Sequence, residues 1–241
     1  SEVIIAQCTG LWYPFLNDFL NRPPWGKGGV FVEKTEQLGP YTLSWKDGVF
    51  PLGGDALALG AFSTVKPGWR VCDLGTGSGC LLLLLARRAE NLSLTGIDID
   101  PLSARTAREN LLANGLPGEI LTGDLRQAPL PVGGFDLVVS NPPYFPVGSG
   151  KSAGPARSEE FCSLEQLCAA AGRLVKNGGR FSLCHRPERL TDVLCALRAH
   201  NLEPKRLKLA AHGPDRPPSL LLVEAVKQGK PGLTIEISHN P

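Results

Sequence analysis

Short apolar segments alternate with segments of helical character over most of this chain of 241 residues. Strands are predicted at five apolar segments: residues 70–74, 93–98, 119–122, 135–140 and 180–185. Helices are predicted at four segments that lie between or after them: residues 78–89, 101–114, 162–175 and 187–200. Alternation of this kind places consecutive strands in one mostly parallel sheet and covers both faces of that sheet with helices. The pattern therefore predicts an α/β fold.

The two ends of the chain depart from this alternation. Two apolar segments near the carboxyl end, residues 205–210 and 219–226, have no helix between them and should pair antiparallel as a hairpin, which makes seven strands in the sheet. Near the amino end, residues 30–32 and 41–45 predict a small β-hairpin around a turn. We therefore divide the chain into an extension with a β-hairpin at residues 1–49 and a main domain at residues 50–241.

Composition limits the class of protein. Hydrophobic residues make up 42% of the chain and charged residues 20%, which is ordinary for a soluble protein with a real core. No apolar stretch approaches the roughly 20 residues of a membrane helix, and the first residues do not resemble a secretory signal. The seven cysteines include no Cys-x-x-Cys pair, and the four histidines are scattered. We therefore expect a cytoplasmic protein with reduced cysteines, no metal site and no membrane partner.

A glycine-rich loop follows the first strand of the alternation. Its sequence at residues 73–79, Asp-Leu-Gly-Thr-Gly-Ser-Gly, differs from the Gly-x-Gly-x-x-Gly spacing of dinucleotide-binding loops. The glycines permit tight turning and close approach of a ligand. The carboxylate of Asp73 disfavours a pyrophosphate, but it suits the cationic amino-acid end of a ligand.

Further acids follow the next two strands. Asp98 ends the second strand, and Asp124 comes just after the third. Because ligands bind at the carboxyl ends of strands in open α/β sheets, Asp98 could accept hydrogen bonds from ribose hydroxyls and Asp124 from an adenine amino group. Asp100 competes with Asp98, but it precedes Pro101 and can cap the helix instead. This order of acid, glycine loop, acid and acid describes S-adenosylmethionine better than a nucleotide.

The tetrad Asn-Pro-Pro-Tyr at residues 141–144 follows the fourth strand. Two prolines remove two backbone donors and fix the backbone, so the segment presents the amide of Asn141, proline carbonyl groups and the ring of Tyr144. These groups suit a planar NH2 group, whose two hydrogens need two acceptors while its ring stacks on an aromatic face. A proline-rich turn with a buried tyrosine is the plainer alternative. The place at a strand end, downstream of the glycine loop, favours the site for an amine.

The loop, the acids and the tetrad together resemble class I S-adenosylmethionine-dependent methyltransferases that act on amino groups. Three further segments resemble the bacterial tRNA1(Val) adenine-N6 methyltransferases: residues 50–59, residues 156–157 with 181–189, and residues 219–233. The resemblance extends over roughly residues 30–236 and leaves the first 29 residues unmatched. It implies a Rossmann-like fold, S-adenosylmethionine as the cofactor, and methylation of the N6 amino group of an adenine in tRNA.

The resemblance also implies roles for individual residues. Catalysis is expected from the tetrad, Asn141, Pro142, Pro143 and Tyr144. Cofactor binding is expected from Asp73, Gly75, Thr76, Gly77, Gly79, Asp98, Ile99, Asp124, Leu125 and Asn141. Substrate binding is expected from Phe50, Asp55, Tyr144, Phe145 and Arg157. The oligomeric state stays open.

Other functions also stay open. The first alternative keeps the reaction but changes the substrate to the glutamine of a release factor, to rRNA or to DNA. Glutamine-methylating relatives carry a helical N-terminal domain and a Pro-Arg-x-x-Thr-Glu segment, and the sequence shows neither. The second alternative is a protein that binds S-adenosylmethionine without catalysis. Residues 145–241 contain 14 lysines and arginines against 9 acids, which is compatible with RNA contacts, although a solvated surface is the commoner explanation.

Overall fold

The computed structural model describes residues 34–49, 52–142, 162–212 and 215–240. A two-stranded hairpin consists of β1 (Lys34–Leu38) and β2 (Tyr41–Trp45). The main sheet contains β3 (Arg70–Leu74), β4 (Ser93–Asp98), β5 (Gly118–Thr122), β6 (Phe135–Ser140), β7 (Val175–His185), β8 (Leu202–His212), β9 (Leu220–Lys227) and β10 (Thr234–Asn240). The helices are α1 (Gly54–Phe62), α2 (Cys80–Ala86), α3 (Pro101–Ala113), α4 (Leu164–Leu174) and α5 (Leu190–Ala199).

The strands of the main sheet lie in the order β10-β8-β9-β7-β6-β3-β4-β5. Strands β3, β4, β5, β6 and β7 are parallel to one another, and β9 runs antiparallel to both β7 and β8. The chain first builds outward from β3 to β5 and then returns to place β6 on the other side of β3. Ligands bind at such a reversal of strand order in open α/β sheets, so the carboxyl ends of β3 and β6 are the expected place for a site.

Side chains that alternate along the strands divide the core into two layers. On β6, Leu137 and Val139 pack in the layer that contains α1, α2 and α3, whereas Val138 packs in the layer of α4 and α5. On β7, Cys184 packs in the layer of α1, α2 and α3, and Leu183 packs in the layer of α4 and α5. This period of two residues is that of a strand covered on both faces, and it confirms the expected helices on both sides of the sheet.

The chemistry of single residues sets where the helices begin. Asp100 accepts hydrogen bonds from the backbone N–H groups of Leu102 and Ser103 at the first turn of α3, and Pro101 occupies a favoured first position. Ser163 and Gln166 form a reciprocal capping box at the start of α4. Capping of this kind satisfies backbone donors that have no partner within the helix.

Helix α2 begins at Cys80 and not at Ser78 as expected. Gly79 has a φ of 80°, in the left-handed region, and a Cβ at this position would lie 3.2 Å from the Cα of Ala107. The glycine therefore ends the loop with a conformation that a helix cannot contain, and it lets the loop approach α3 closely.

The expected mostly parallel sheet, its antiparallel carboxyl-terminal pair and the amino-terminal hairpin are confirmed. Three details differ. An eighth strand, β10, pairs parallel with β8 at the edge of the sheet. The strand that pairs with β2 is Lys34–Leu38, whereas residues 30–32 lie outside the described part of the chain. The last predicted helix opens with a 3-10 turn at Pro187–Arg189.

The division of the chain at residues 49 and 50 stays a prediction. Hairpin β1–β2 packs on α3, and its side chains Leu38 and Leu43 are buried in the same core layer as α1, α2 and α3. None of the helices that the structure describes is long and apolar enough to cross a membrane.

Candidate active site

Four neighbouring strand ends, those of β6, β3, β4 and β5, carry Asn141 and the three acids that the sequence singled out. Asp73 lies near the end of β3 and Asn141 directly after β6, on the two sides of the strand-order reversal. The Ser140 hydroxyl donates to the carbonyl oxygen of Leu74 over 2.7 Å and ties these two ends together. The structure thus brings the predicted acids and the amide to one edge of the sheet.

The glycine loop is fastened to the end of β4. The backbone N–H groups of Gly75 and Thr76 donate to the carbonyl oxygen of Ile97 over 2.9 and 3.0 Å. The N–H of Gly77 donates to Oδ2 of Asp98 over 2.8 Å. Because several bonds of the loop run to β4, the loop and the acid at the end of that strand form one unit.

Asp73 is the most deeply buried acid of the site, with 1% of its surface exposed. Its Oδ2 accepts from the Thr76 hydroxyl over 2.9 Å, whereas its Oδ1 has no hydrogen-bond partner among the described residues. Burial raises the pKa of Asp73 to about 7, and the hydrogen bond from Thr76 opposes this only in part. A buried carboxylate oxygen without a partner is costly unless a ligand supplies a donor, so this atom fits a cationic group.

Asp98 and Asp100 accept hydrogen bonds from different parts of the chain. Oδ1 of Asp98 accepts from the N–H of Asp100 over 2.9 Å, and burial raises the pKa of Asp98 in spite of the backbone hydrogen bonds that it receives. Both carboxylate oxygens of Asp100 accept hydrogen bonds from backbone N–H groups at the start of α3, and one of them also accepts from the Ser103 hydroxyl over 2.8 Å. The expected role of Asp100 as a cap is therefore observed, and Asp98 remains the candidate acceptor for a ribose.

Asp124 already has a strong partner. The guanidinium of Arg126 donates to both of its carboxylate oxygens, with Nε–O distances of 2.9 and 2.8 Å. Burial alone would raise the pKa of Asp124, but the hydrogen bonds from Arg126 outweigh it and hold this pKa below the ordinary value. Each carboxylate oxygen has more than one lone pair, so Asp124 can still accept a hydrogen bond from an amino group while Arg126 donates to it.

The amide of Asn141 meets a thiol from the next strand. The Cys184 Sγ lies 3.0 Å from Oδ1 of Asn141 and donates to it. Cys184 is fully buried near the end of β7, and neighbouring Ser140 pairs in register with Leu183. Pro142 follows Asn141 as a half-buried residue.

The other predicted residues are placed less centrally or lie outside the description. Ile99 is 39% exposed just beyond β4, and Leu125 starts a 3-10 turn after Asp124. Asp55 lies in the first turn of α1, a helix that packs on α2, β7 and β9. Five predicted residues fall outside the described part of the chain: Phe50, Pro143, Tyr144, Phe145 and Arg157.

Sequence reasoning missed three side chains that touch the site. Cys184 could have been found from its place at the end of the strand beside β6. Arg126 is two residues from Asp124, a spacing that allows a local ion pair. Asn110 of α3 is 2% exposed and donates to the carbonyl oxygen of Ser78 in the glycine loop over 2.8 Å. The only signal for it is a pair of asparagines one turn apart in a helix.

The arrangement fits S-adenosylmethionine. The orphaned Oδ1 of Asp73 suits an ammonium group, the glycine loop offers close backbone approach, and Asp98 and Asp124 follow on successive strands. Among the residues that the structure describes, no three His, Cys, Asp or Glu side chains gather as metal ligands would.

Comparison with solved structures identifies the class of the fold. A crystal structure of a predicted O-methyltransferase from Agrobacterium tumefaciens matches with a TM-score of 0.64 at 23% sequence identity, over 77% of this chain and 86% of that one. At this identity the likeness shows the fold alone. The chain therefore has the Rossmann-like fold of class I methyltransferases.

The sequence comparisons narrow the class to a family. The family model "Methyltransferase small domain" matches residues 53–193, and the chain belongs to this family. A relative from Porphyromonas gingivalis is 33% identical over 72% of this chain and 73% of its own length. One from Parabacteroides distasonis is 32% identical over 78% and 84%. Both are named tRNA1(Val) (adenine(37)-N6)-methyltransferase. The chain is thus a methyltransferase whose cofactor is S-adenosylmethionine.

Proposed function

We propose that this methyltransferase transfers a methyl group to the N6 amino group of an adenine in tRNA. The observation that carries the proposal is the amide of Asn141 at the end of β6, across the strand-order reversal from the orphaned carboxylate oxygen of Asp73. The names of the relatives support tRNA as the substrate. A tRNA substrate and the six free cysteines among the described residues support a cytoplasmic location.

The cofactor side of the site is assigned by chemistry. Asp73 would hold the ammonium of the methionine part, beside the backbone of Gly75, Thr76, Gly77 and Gly79. Asp98 would accept from the ribose hydroxyls, and Ile99, Asp124 and Leu125 would flank the adenine of the cofactor. When bound, S-adenosylmethionine supplies an electrophilic methyl group on a positively charged sulfur.

The substrate side must activate a poor nucleophile. The lone pair of an exocyclic adenine nitrogen is delocalised into the ring, so the planar amine resists attack. Oδ1 of Asn141 and the carbonyl oxygen of Pro142 would accept hydrogen bonds from its two N–H groups and favour a pyramidal nitrogen whose lone pair is available. As the bond between nitrogen and the methyl carbon forms, the bond between that carbon and sulfur would break, S-adenosylhomocysteine would leave, and one proton of the amine would pass to water. Fixed acceptors of this kind stabilise the positive charge that develops on nitrogen, and they also orient it. The Cys184 thiol donates to the same Oδ1, and an amide oxygen has the capacity for two hydrogen bonds.

Further substrate contacts are proposed for residues that the resemblance implies. Tyr144 and Phe145 would stack on the target base, Pro143 would stiffen the segment, and Arg157 would meet a phosphate. Phe50 and Asp55 would border the same site. A base that is drawn out of a single-stranded loop suits stacking of this kind.

The test is a survey of methyl acceptors. The protein is incubated with S-adenosylmethionine that carries a labelled methyl group, together with unmodified tRNA, rRNA, DNA or release factors, and each product is digested and identified. The proposal predicts label in N6-methyladenosine from one tRNA. Label in glutamine, in rRNA or in DNA would show that the substrate is a release factor, rRNA or DNA and not tRNA. Cofactor binding without label in any acceptor would indicate a protein that binds S-adenosylmethionine without catalysis.

A further inference from the structure

Two asparagines of α3 hydrogen-bond the backbone of the same strand, β2. Oδ1 of Asn114 accepts from the N–H of Thr42 over 2.8 Å, and its Nδ2 donates to the carbonyl oxygen of Thr42 over 2.8 Å. Asn110 repeats this arrangement one helical turn earlier: its Oδ1 accepts from the N–H of Ser44 over 2.9 Å, and its Nδ2 donates to the carbonyl oxygen of Ser44 over 2.8 Å.

These four bonds occupy the outer edge of the hairpin. Within the described residues β2 pairs only with β1, and the backbone groups of Thr42 and Ser44 point to α3. A side-chain amide carries one acceptor and two donors, so each asparagine completes the bonding of one strand residue as a third strand would. The hairpin is thereby held by a specific polar contact as well as by the burial of Leu43.

Only Asn110 extends this contact to the cofactor site. Its Nδ2 also donates to the carbonyl oxygen of Ser78 over 2.8 Å, and both residues are buried, with 2% and 4% of their surfaces exposed. The next N–H along the loop, that of Gly79, donates to the carbonyl oxygen of Thr76 over 2.8 Å. The peptide group between Ser78 and Gly79 is therefore bonded through both its oxygen and its nitrogen, and Asn110 provides one of these bonds.

We propose that Asn110 is a positioning residue of the cofactor site, which couples the docking of hairpin β1–β2 to the affinity for S-adenosylmethionine. The glycine loop keeps its binding conformation while Asn110 holds the Ser78 carbonyl, and Asn110 keeps its orientation while Ser44 holds its amide. The inference rests on the cofactor-binding part of the proposed function and is independent of the methyl acceptor. It assigns to the hairpin a role in the site beyond that of an appended element.

Asn114 provides the matched control. Asn110→Asp and Asn114→Asp each replace an amide by an isosteric carboxylate that cannot donate to β2, but only Asn110→Asp also loses the bond to the loop. Calorimetry without RNA should show the Kd for S-adenosylmethionine raised about tenfold by Asn110→Asp and less than about twofold by Asn114→Asp. In methylation assays Asn110→Asp should raise the KM for the cofactor with little change in kcat. Equal effects of the two variants on Kd, or no effect of either, would overturn the inference.

A measurement on the unaltered protein covers the case in which Asn110→Asp does not fold. Coupling is reciprocal, so saturation with the reaction product S-adenosylhomocysteine should slow amide hydrogen exchange at Ser44 by about tenfold. The amide of Ile237 is the control, because it lies in the exposed edge strand β10, which can open locally without global unfolding; its exchange should change little. Equal changes at Ser44 and Ile237 would contradict coupling. Failure of the unaltered protein to bind the cofactor would instead contradict the proposed function.

Discussion

At the scale of single residues, the orientation of one amide decides whether the site can accept an amine. The oxygen end of the Asn141 side chain must face the substrate, because its nitrogen end offers only donors. The thiol of Cys184, 3.0 Å from that oxygen, favours the orientation in which Oδ1 is held beside a donor. We therefore propose that Cys184 is a positioning residue, which acts on the proposed reaction through Asn141.

Removal of the Cys184 thiol should slow methyl transfer without changing the affinity for the cofactor. Cys184→Ala should lower kcat about three- to tenfold, the value of one modest hydrogen bond, and leave the Kd for S-adenosylmethionine unchanged. Cys184→Ser keeps a donor and should retain most of the activity. Cys168→Ala, at an equally buried cysteine in the other core layer, is the control for packing. A similar loss of kcat in both alanine variants would show that the thiol only fills space.

The buried carboxyl of Asp73 predicts a proton linked to cofactor binding. Its pKa of about 7 lies above the ordinary value of 3.8 because of burial. The contribution of Asp73 to the stability of the free protein is therefore fully present below about pH 4 and is lost as the pH rises through about 7. An ammonium beside Oδ1 requires the ionised form, so binding at pH 6 should release close to one proton.

Calorimetry in two buffers with different heats of ionisation measures this release. The released fraction should fall as the pH rises through about 7, since Asp73 is then already ionised in the free protein. Asp73→Asn keeps the shape but cannot titrate, and it should bind more weakly and release no proton. The same proton release in Asp73→Asn would assign the linkage to another group.

The residues at the strand ends could be predicted because the α/β topology itself brings them together. Asp73, Asp98 and Asn141 each follow an apolar segment, and successive parallel strands place their carboxyl ends at one edge. The partners Cys184 and Asn110 gave much weaker signals, since their contacts depend on strand order and on helix rotation. Neither property is encoded in the spacing of local sequence.

At the scale of elements, the neighbouring acids Asp98 and Asp100 serve two different elements, the glycine loop and α3. Asp98→Ala removes the acceptor of the Gly77 N–H as well as the proposed ribose contact, and it should raise the Kd for S-adenosylmethionine at least about tenfold. Asp100→Ala removes the cap of α3 and should lower the free energy of unfolding by about 1 kcal/mol, with little change in Kd. Calorimetry and urea denaturation measure the two quantities. The reverse pattern would transfer the ribose role to Asp100.

Sequence patterns identified elements with strong local signals and missed those that depend on a partner. The start of α3 follows from Asp100 and Pro101, which act within one turn. Strand β10 was missed because its side chains give no burial signal: Ile235 and Ile237 are 60% and 68% exposed. The extra residues of β7 around Gly178 form an irregularity in its pairing with β6, which no local pattern indicates.

At the scale of the whole molecule, a buried ion network joins the segment after α1 to the sheet. Glu224 of β9 is completely buried and accepts from the N–H and hydroxyl of Thr64 over 2.7 and 2.9 Å. It also pairs with Arg180 at 2.7 Å and with Arg206 at 3.4 Å. The network fastens three strands and the segment before β3 through one carboxylate.

Loss of that carboxylate should be strongly destabilising. Glu224→Ala leaves two arginines without their shared partner and should lower the free energy of unfolding by about 3–5 kcal/mol. Glu236→Ala is the control, because Glu236 pairs with Arg206 at 3.7 Å in an exposed position and should cost less than about 1 kcal/mol. Urea denaturation measures both changes. Equal losses would mean that burial of the network adds nothing.

Ion pairs engage many of the basic side chains that give residues 145–241 their positive charge. Five arginines of the region pair with described carboxylates: Arg180, Arg186, Arg189, Arg198 and Arg206. The charge count of a region is therefore no measure of a basic surface by itself, because the count contains no information on which side chains meet.

The central claim, that Asn141 accepts the hydrogens of the target amine, has one direct test. The rate of methyl transfer to unmodified tRNA is measured in a single turnover for the unaltered protein and for Asn141→Ala, with the Kd for S-adenosylmethionine determined for both. The account predicts a rate lower by about two to three orders of magnitude and a Kd that stays within about threefold. A normal rate in Asn141→Ala would contradict it.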